Sequence, residues 1–282
     1  MSMDRFNKVY AKPGLLLLVA SATSISFLLP LIWILTGSLR PGLETFSHLE
    51  PLSLSTFVEF GPILDNYRAL IHGELGHAIL NSLNAASWAV LVGLIVSSMA
   101  AFALSAIPFR GSGLMFAIVI ISLLIPFDAI AIPLAQLFRS WGLQDTIAGL
   151  VLPGVANGMA IFMLRTFFMG IPKELVEAAR VDGLGWWGIF TRIYLPLSKA
   201  PLIGAGLMLF LFQWHAYVWP LLIGTSDNTL VGPIALANMK TQHSVDYGLL
   251  FAGSIVLSVV PLLLILLGQK QFVQTNSTAG IK

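Results

Sequence analysis

The sequence predicts an all-α integral membrane protein with six transmembrane helices, and three observations carry that prediction. Of the 282 residues 57% are hydrophobic and 10% charged, where soluble domains run near 25% charged. Six apolar stretches, approximately 15–38, 78–107, 114–138, 146–164, 200–224 and 247–268, each reach the roughly 20 residues that cross about 30 Å of hydrocarbon. Lys and Arg are shared unevenly between the two sets of connections. With the N-terminus inside, Arg5, Lys8, Lys12, Arg110, Arg165, Lys173, Arg180, Arg192, Lys199, Lys270 and Lys282 fall on one side. Only Arg40, Arg68, Arg139 and Lys240 fall on the other, eleven against four of the fifteen basic residues. Positive charge stays with the cytoplasm, so both termini are expected there.

Each span has its own justification. The first apolar run, 13–39, is 27 residues without a charge, longer than the roughly 7–15 residues of a cleavable signal core, and reads as a spanning helix. A polar stretch of 39 residues, 39–77, separates it from the second span. The remaining connections are short except 165–199 and 225–246. Gly154, Gly158 and Ala160 in the fourth span and Gly204 and Gly206 in the fifth permit close helix approach, within the chain or against a partner. The expected organisation is a cytoplasmic N-terminal segment 1–14, a six-helix membrane domain 15–268 and a cytoplasmic tail 269–282.

Several chemistries are excluded. Without cysteine there are no disulfides, thiolate nucleophiles or Cys-ligated metals. A net charge of +2 gives no footprint for nucleic acid. No Ser/His or metal-ligand constellation suggests catalysis or a metal site. No G-x-x-x-x-G-K-[ST] loop is present to cradle a nucleotide phosphate, so any ATP–Mg chemistry would sit on another chain.

The connection 165–199 holds the segment EAARVDGLGWWGIFTRIYLP, from Glu177 to Pro196. Pro172 opens a helix at the position where its missing N–H costs nothing. Gly183 closes it in the left-handed conformation that glycine reaches cheaply. Leu175, Val176 and Ala179 share one face, and Glu174, Glu177 and Arg180 take the others. Ala178 and Ala179 leave a smooth patch that another surface can approach. A second short helix is expected from about Gly185, with Trp186, Ile189, Phe190 and Ile193 at helical spacing, ended by Pro196. A lipid-surface helix is the competing reading, but this helix is alanine-rich with a small apolar face.

Glu177-Ala178-Ala179, then Gly183, Ile193 and Leu195-Pro196, fixes seven positions over twenty residues. The segment resembles the EAA motif of the membrane subunits of ABC importers. Its flanks, IPKELVEAARVDG and LPLSKAPL, resemble the carbohydrate-uptake branch of maltose and glycerol-phosphate permease type. Ser38-Leu39-Arg40, Asn66-Tyr67, Asn81-Ser82-Leu83, Phe109-Arg110-Gly111, WHAYVWPLL from Trp214 to Leu222, and the ending QKQFV with Ala279, Gly280 and Lys282 extend the likeness over nearly the whole chain. His215 stands where the family usually has Asn. Gly185 stands where Ser or Thr is frequent, an exchange costing a few tenths of a kcal/mol at an N-cap.

The resemblance implies a type I importer permease with Glu177, Ala178, Ala179, Asp182, Gly183, Ile193, Leu195 and Pro196 coupling it to ATPase subunits. It implies two ATP-binding subunits docked at this loop, a second homologous permease and an extracytoplasmic solute-binding protein. The location implied is a bacterial-type cytoplasmic membrane, crossed several times. The function expected is uptake of a carbohydrate or related polar solute by alternating access, with ATP hydrolysed elsewhere. The alternative is a self-sufficient secondary transporter or channel, which would show a relay of embedded ionisable groups and an internal repeat.

Candidate solute contacts are Asp128, Trp214, His215 and Tyr217. Asp128 lies between Pro126 and Pro133, about 21 Å into the third span at 1.5 Å per residue. Prolines free backbone carbonyls that only protein or a wet cavity can satisfy. Such a carboxylate reads as a functional group or as a hydrated residue near the outer boundary. His215 sits among Trp214, Tyr217 and Trp219, aromatics that stack on a sugar or form an interfacial belt. Trp214 and Tyr217 are expected to contact solute, and Trp219 to belong to the belt. The solute itself is not legible.

Overall fold

The computed structural model describes residues 13–46, 54–58, 61, 63–239 and 245–278. Residues 1–12, with Arg5, Lys8 and Lys12, and Lys240, Ala279, Gly280 and Lys282 lie outside the described residues. The chain forms two compact units, Met1–His72 with Met239–Val256, and Gly73–Asn238 with Leu257–Lys282.

The first unit begins with α1, Pro13–Ser38. Residues 16–32 are all exposed, including Leu17 at 67% and Phe27 at 76%. A helix apolar on every side needs lipid or another apolar chain around it. After a 3₁₀ turn, Gly42–Glu44, come α2, Leu54–Phe57, and α3, Asp65–His72. The last carbonyls of a helix lack intrahelical partners, and α3 supplies them. Asn66 Nδ2 donates to the carbonyls of Ser38 at 2.9 Å and Arg40 at 2.8 Å, while the Tyr67 and Ser38 hydroxyls lie 2.6 Å apart. The Ser38-Leu39-Arg40 and Asn66-Tyr67 stretches thus meet as a helix and its cap.

The second unit is organised on α4, Glu74–Ala106, whose 33 residues span about 50 Å at 1.5 Å each. It is followed by α5, Ser112–Leu124, α6, Phe127–Ser140, α7, Ile147–Val155, and α8, Gly158–Phe168. The hairpin is α9, Lys173–Val181, and α10, Trp186–Leu197. Then come α11, Lys199–Trp214, α12, Val218–Ile223, α13, Gly232–Asn238, and α14, Tyr247–Thr278, which enters this unit at Leu257. All these elements are helical. Glycines permit close side-chain approach between helices: a Cβ at Gly206 would lie 3.3 Å from Leu94 Cδ1, and one at Gly158 would lie 2.9 Å from Leu123 Cδ2. At these two positions the small residues serve contacts within the chain.

Among the described residues three helices, α1, α4 and α14, are singly long and apolar enough to cross a membrane, and three bent pairs reach that length together: α5 with α6 at 99°, α7 with α8 at 43°, and α10 with α11 at 83°. Within each of the apolar stretches 114–138, 146–164 and 200–224 the helix is interrupted. In the third, the ring of Pro126 opposes the carbonyl of Ser122 and offers no N–H, so the helix stops at Leu124. Asp128 therefore sits in the first turn of a reoriented helix, and the 21 Å depth along one straight axis does not apply. In the fourth, Asn157 restarts the helix by accepting from Ala160 N at 3.1 Å, and Thr146 caps its beginning through Gly149 N at 2.9 Å. In the fifth, Pro220 opposes Ala216 in the same way, and the chain leaves the helix from His215 to Tyr217.

Prolines inside helices also leave a carbonyl four residues earlier without its N–H partner, which is costly at membrane depth. Side chains from other helices fill three such places. Pro261 strands the Leu257 carbonyl, and Trp214 Nε1 donates to it at 3.0 Å. Pro153 strands Gly149, and Trp219 Nε1 donates to it at 3.0 Å. Beyond the end of α4, Pro108 cannot reach Leu104, and Arg165 Nε donates there at 3.2 Å.

Candidate functional site

The hairpin is built as the sequence suggests at its first helix and differently at its second. Pro172 is the residue before α9, with φ −56° and ψ 132°. At the other end Gly183 has φ +84°, and a Cβ there would touch nothing within 4 Å. Its N–H reaches the Arg180 carbonyl at 3.1 Å, and Leu184 N–H reaches back to Ala179 at 2.9 Å. That pair of bonds is the Schellman arrangement, with Leu184 and buried Ala179 in one apolar cluster. Gly185 caps α10 without a side-chain bond. Pro196 does not end the second helix, which runs to Leu197. A π-turn over Phe190–Tyr194 widens the helix ahead of the proline, easing the clash of its ring with Arg192. The break follows at Ser198.

One aromatic knot fixes this hairpin to the spans. Phe102 of α4 has ring centroids of Tyr194 at 4.8 Å, Phe190 at 5.1 Å and Trp186 at 6.3 Å around it, and Phe168 of α8 lies 5.2 Å from Tyr194. Ala179, Ile189 and Ile171 join the same buried cluster, with Val176, Ile193 and Leu195 packed on it. Arg180 stacks on Trp186 at 4.6 Å. The opposite face is open: Val181 is 88% exposed, Trp187 65% and Leu175 44%, beside exposed Glu174, Glu177, Ala178 and Asp182. Of the eight motif residues, Ala179, Ile193 and Leu195 anchor, while Glu177, Ala178, Asp182, Gly183 and Pro196 are presented. The arrangement joins a rigid root to a free apolar and acidic face.

The four candidate solute contacts do not share one environment. Asp128, His215 and Tyr217 are exposed, the last at 43%. His215 ends α11 with φ −90° and ψ 0°, and Tyr217 has φ −122° and ψ −58°, so the broken segment holds both outside a helix. Trp214 is 2% exposed, stacked on Phe210 at 5.3 Å, with its N–H committed to Leu257. Trp219, expected in an interfacial belt, is 5% exposed instead. It lies edge-on to Phe138 at 5.1 Å and Phe127 at 5.8 Å, turned inward by the carbonyl that Pro153 strands.

At the end of α4 away from the hairpin, a clamp that the sequence does not reveal holds the loop after α12. Asp145, at φ +55°, accepts from Thr225 N at 2.5 Å, Ser226 N at 2.7 Å and Thr229 Oγ1 at 3.0 Å. Burial raises its pKa, but these bonds from Ser226, Thr225 and Thr229 outweigh it and hold the carboxyl below its usual range. From the other side Asn81 Nδ2 donates to the carbonyls of Asp227 and Leu230 at 3.0 Å each, and Ser82 Oγ accepts from Gly232 N at 2.9 Å. The only local signals were Asn81-Ser82 and an isolated Asp145.

The family model described as binding-protein-dependent transport system inner membrane component matches residues 93–272, covering α4 beyond its midpoint, the hairpin and all later spans. The chain is 31% identical over 268 residues to the arabinooligosaccharides transport system permease protein AraQ of Bacillus subtilis, covering 92% of each. It is 34% identical over 225 residues to the sn-glycerol-3-phosphate transport system permease protein UgpE of Brucella melitensis biotype 1, covering 75% of this chain and 79% of that one. A chain in the crystal structure of a bacterial ABC transporter importing the acidic polysaccharide alginate superimposes with a TM-score of 0.78 at 21% identity, over 96% of this chain and 98% of that one. At that identity the likeness shows the fold.

Proposed function

The chain belongs to the inner membrane components of binding-protein-dependent transport systems, and from that premise we propose that it carries a carbohydrate or related polar solute into the cell by alternating access. A family that depends on a binding protein replaces the self-sufficient transporter or channel reading, and its role is passage rather than catalysis. The solute class rests on the names of relatives, which include an arabinooligosaccharide and a glycerol-3-phosphate permease.

The observation that carries the mechanism is the hairpin: an exposed face on α9, rooted in α4 and α8 through Phe102 and Phe168. Two ATP-binding subunits, with ATP–Mg on them, dock on Glu177, Ala178, Asp182 and Gly183. Their closure moves α9, and the aromatic knot passes the displacement to the spans. A second homologous permease completes the passage, and a solute-binding protein delivers to it. Nucleotide can drive the change only by favouring one permease state over the other. Asp128, His215 and Tyr217 face the passage, and Trp214 holds the wall behind them. Both termini and the hairpin are cytoplasmic, as the eleven-to-four charge bias argues, with segments 1–14 and 269–282 flanking the membrane domain.

The test is purification of the tagged chain from its own cells, followed by reconstitution with whatever co-purifies. A bound ATPase whose turnover rises with the solute-loaded binding protein supports the reading. A chain that transports alone, or binds no ATPase, contradicts it. Orientation is checked in intact cells of this cysteine-free chain: a cysteine at Asn228 labels from outside and one at Lys173 does not.

A further inference from the structure

Within the second unit, a groove of about 600 Å³ is lined by Glu74, His77, Asn81, Asp227, Asn228 and Leu230. Small-molecule sites run from roughly 300 to 1,000 Å³. It lies about 42 Å along α4 from Phe102, at 1.5 Å per residue, so it stands at the end opposite the hairpin. Its floor is fixed, because Asn81 spends its amide nitrogen on the carbonyls of Asp227 and Leu230. Its walls are not committed: among the described residues, the side chains of Glu74, His77, Asp227 and Asn228 make no hydrogen bond or ion pair within the chain. Glu74 and His77 lie three apart on α4 and so share a face.

We infer that this groove is an entry subsite for uncharged or positively charged saccharides, one that turns away acidic ones. The inference rests on the importer reading above and names the solute class more narrowly. Two carboxylates accept hydrogen bonds from sugar hydroxyls, the Asn228 amide and His77 imidazole offer both donors and acceptors, and Leu230 supplies an apolar contact for a C–H face. No Lys or Arg lines the groove, so an anionic sugar meets Glu74 and Asp227 without a counter-charge. A single charge about 5 Å away in a half-wet site shifts affinity by about tenfold, and salt weakens the effect.

The experiment uses the complete reconstituted transporter and three trisaccharides of equal length: maltotriose, the glucosamine trimer and trigalacturonate. Binding is followed by saturation-transfer NMR at low and high salt, with binding-protein-stimulated ATPase measured on the same samples. The wild type should bind the neutral and basic sugars and exclude the acidic one at low salt. Glu74→Gln with Asp227→Asn should raise trigalacturonate binding and lower glucosamine-trimer binding by about tenfold each, with stimulated ATPase retained. Equal binding of all three by the wild type, or discrimination untouched by the double substitution, overturns the subsite. So does a double variant that changes only the binding-protein concentration needed for stimulation, which would make the groove a protein-docking surface. Failure of the importer reading is a separate result, seen as absence of any binding-protein-stimulated ATPase in the wild type.

Discussion

Trp214→Phe tests why an indole is buried in this chain. The structure gives its ring a stacked Phe210 and its N–H a single acceptor, the Leu257 carbonyl at 3.0 Å. That carbonyl has no helical partner because residue 261 is proline. Phenylalanine keeps most of the stacking surface and removes the donor. Interhelical hydrogen bonds in membranes contribute about 0.6–2 kcal/mol, and a stranded carbonyl at depth adds to the cost. Part of the loss also comes from the smaller ring, so the single variant does not isolate the bond. Pro261→Ala does, because alanine returns an N–H to Leu257 and makes the indole donor redundant. Trp214→Phe should therefore cost about 1–2 kcal/mol less in the Pro261→Ala background than in the native one. The assay is unfolding of the purified chain in lipid nanodiscs for all four members of the cycle. Additive effects, with a coupling below about 0.3 kcal/mol, would refute the capping role and return Trp214 to the list of solute contacts.

Other outcomes follow from the same geometry. Phe102→Ala removes the centre of the aromatic knot, where a buried Phe→Ala typically costs about 3–5 kcal/mol; transport should fall at least tenfold with ATPase assembled, and a spin label at Val181 should become more mobile. Phe102→Leu should be intermediate, and an unmoved label with normal transport would deny the root. Gly183→Ala forces a left-handed alanine at about 1–2 kcal/mol; with open space around that Cβ, Gly183→Asn should restore coupling better than Gly183→Val, and equal transport by all three would deny the strain. The lowered Asp145 pKa contributes stability that is complete above its unfolded value of 3.8 and is lost as pH falls through the still lower folded value. Asp145→Asn should flatten that acid limb in thermal scans, and an unchanged limb would deny the clamp. Asp128→Asn or Tyr217→Ala should weaken apparent solute affinity by about tenfold or more where a direct charged or stacked contact is lost, and unchanged kinetics in both would take them off the passage.

How much of this was legible depends on the range of each interaction. Six apolar stretches are a property of composition, and α9 is bounded by Pro172 and Gly183, whose effects reach only a few residues. Both could be read. The breaks near Pro126 and Asn157 and before Pro220 could not, because hydropathy continues unchanged through a bend. What fills the carbonyls stranded by Pro261 and Pro153 is distant: Trp214 lies 43 residues from Leu257 and Trp219 lies 70 from Gly149, so two tryptophans of the aromatic cluster spend their N–H groups on carbonyls inside other helices. Phe102 was invisible for the opposite reason, being one more apolar residue in an apolar span. Asp145 gave no local sign of the Thr225–Thr229 loop that it holds from 80 residues away.

The central claim is that the open face of α9 receives the ATP-driven movement, and a photo-crosslinker answers it directly. Placed at Ala178 in the assembled complex, on the exposed face of the helix, it should capture an ATP-binding subunit in high yield. The yield should change between the nucleotide-free and ATP-bound states, while a crosslinker at exposed Asn228 captures none of that subunit. Capture of lipid alone at Ala178, or a yield indifferent to nucleotide, would contradict the account.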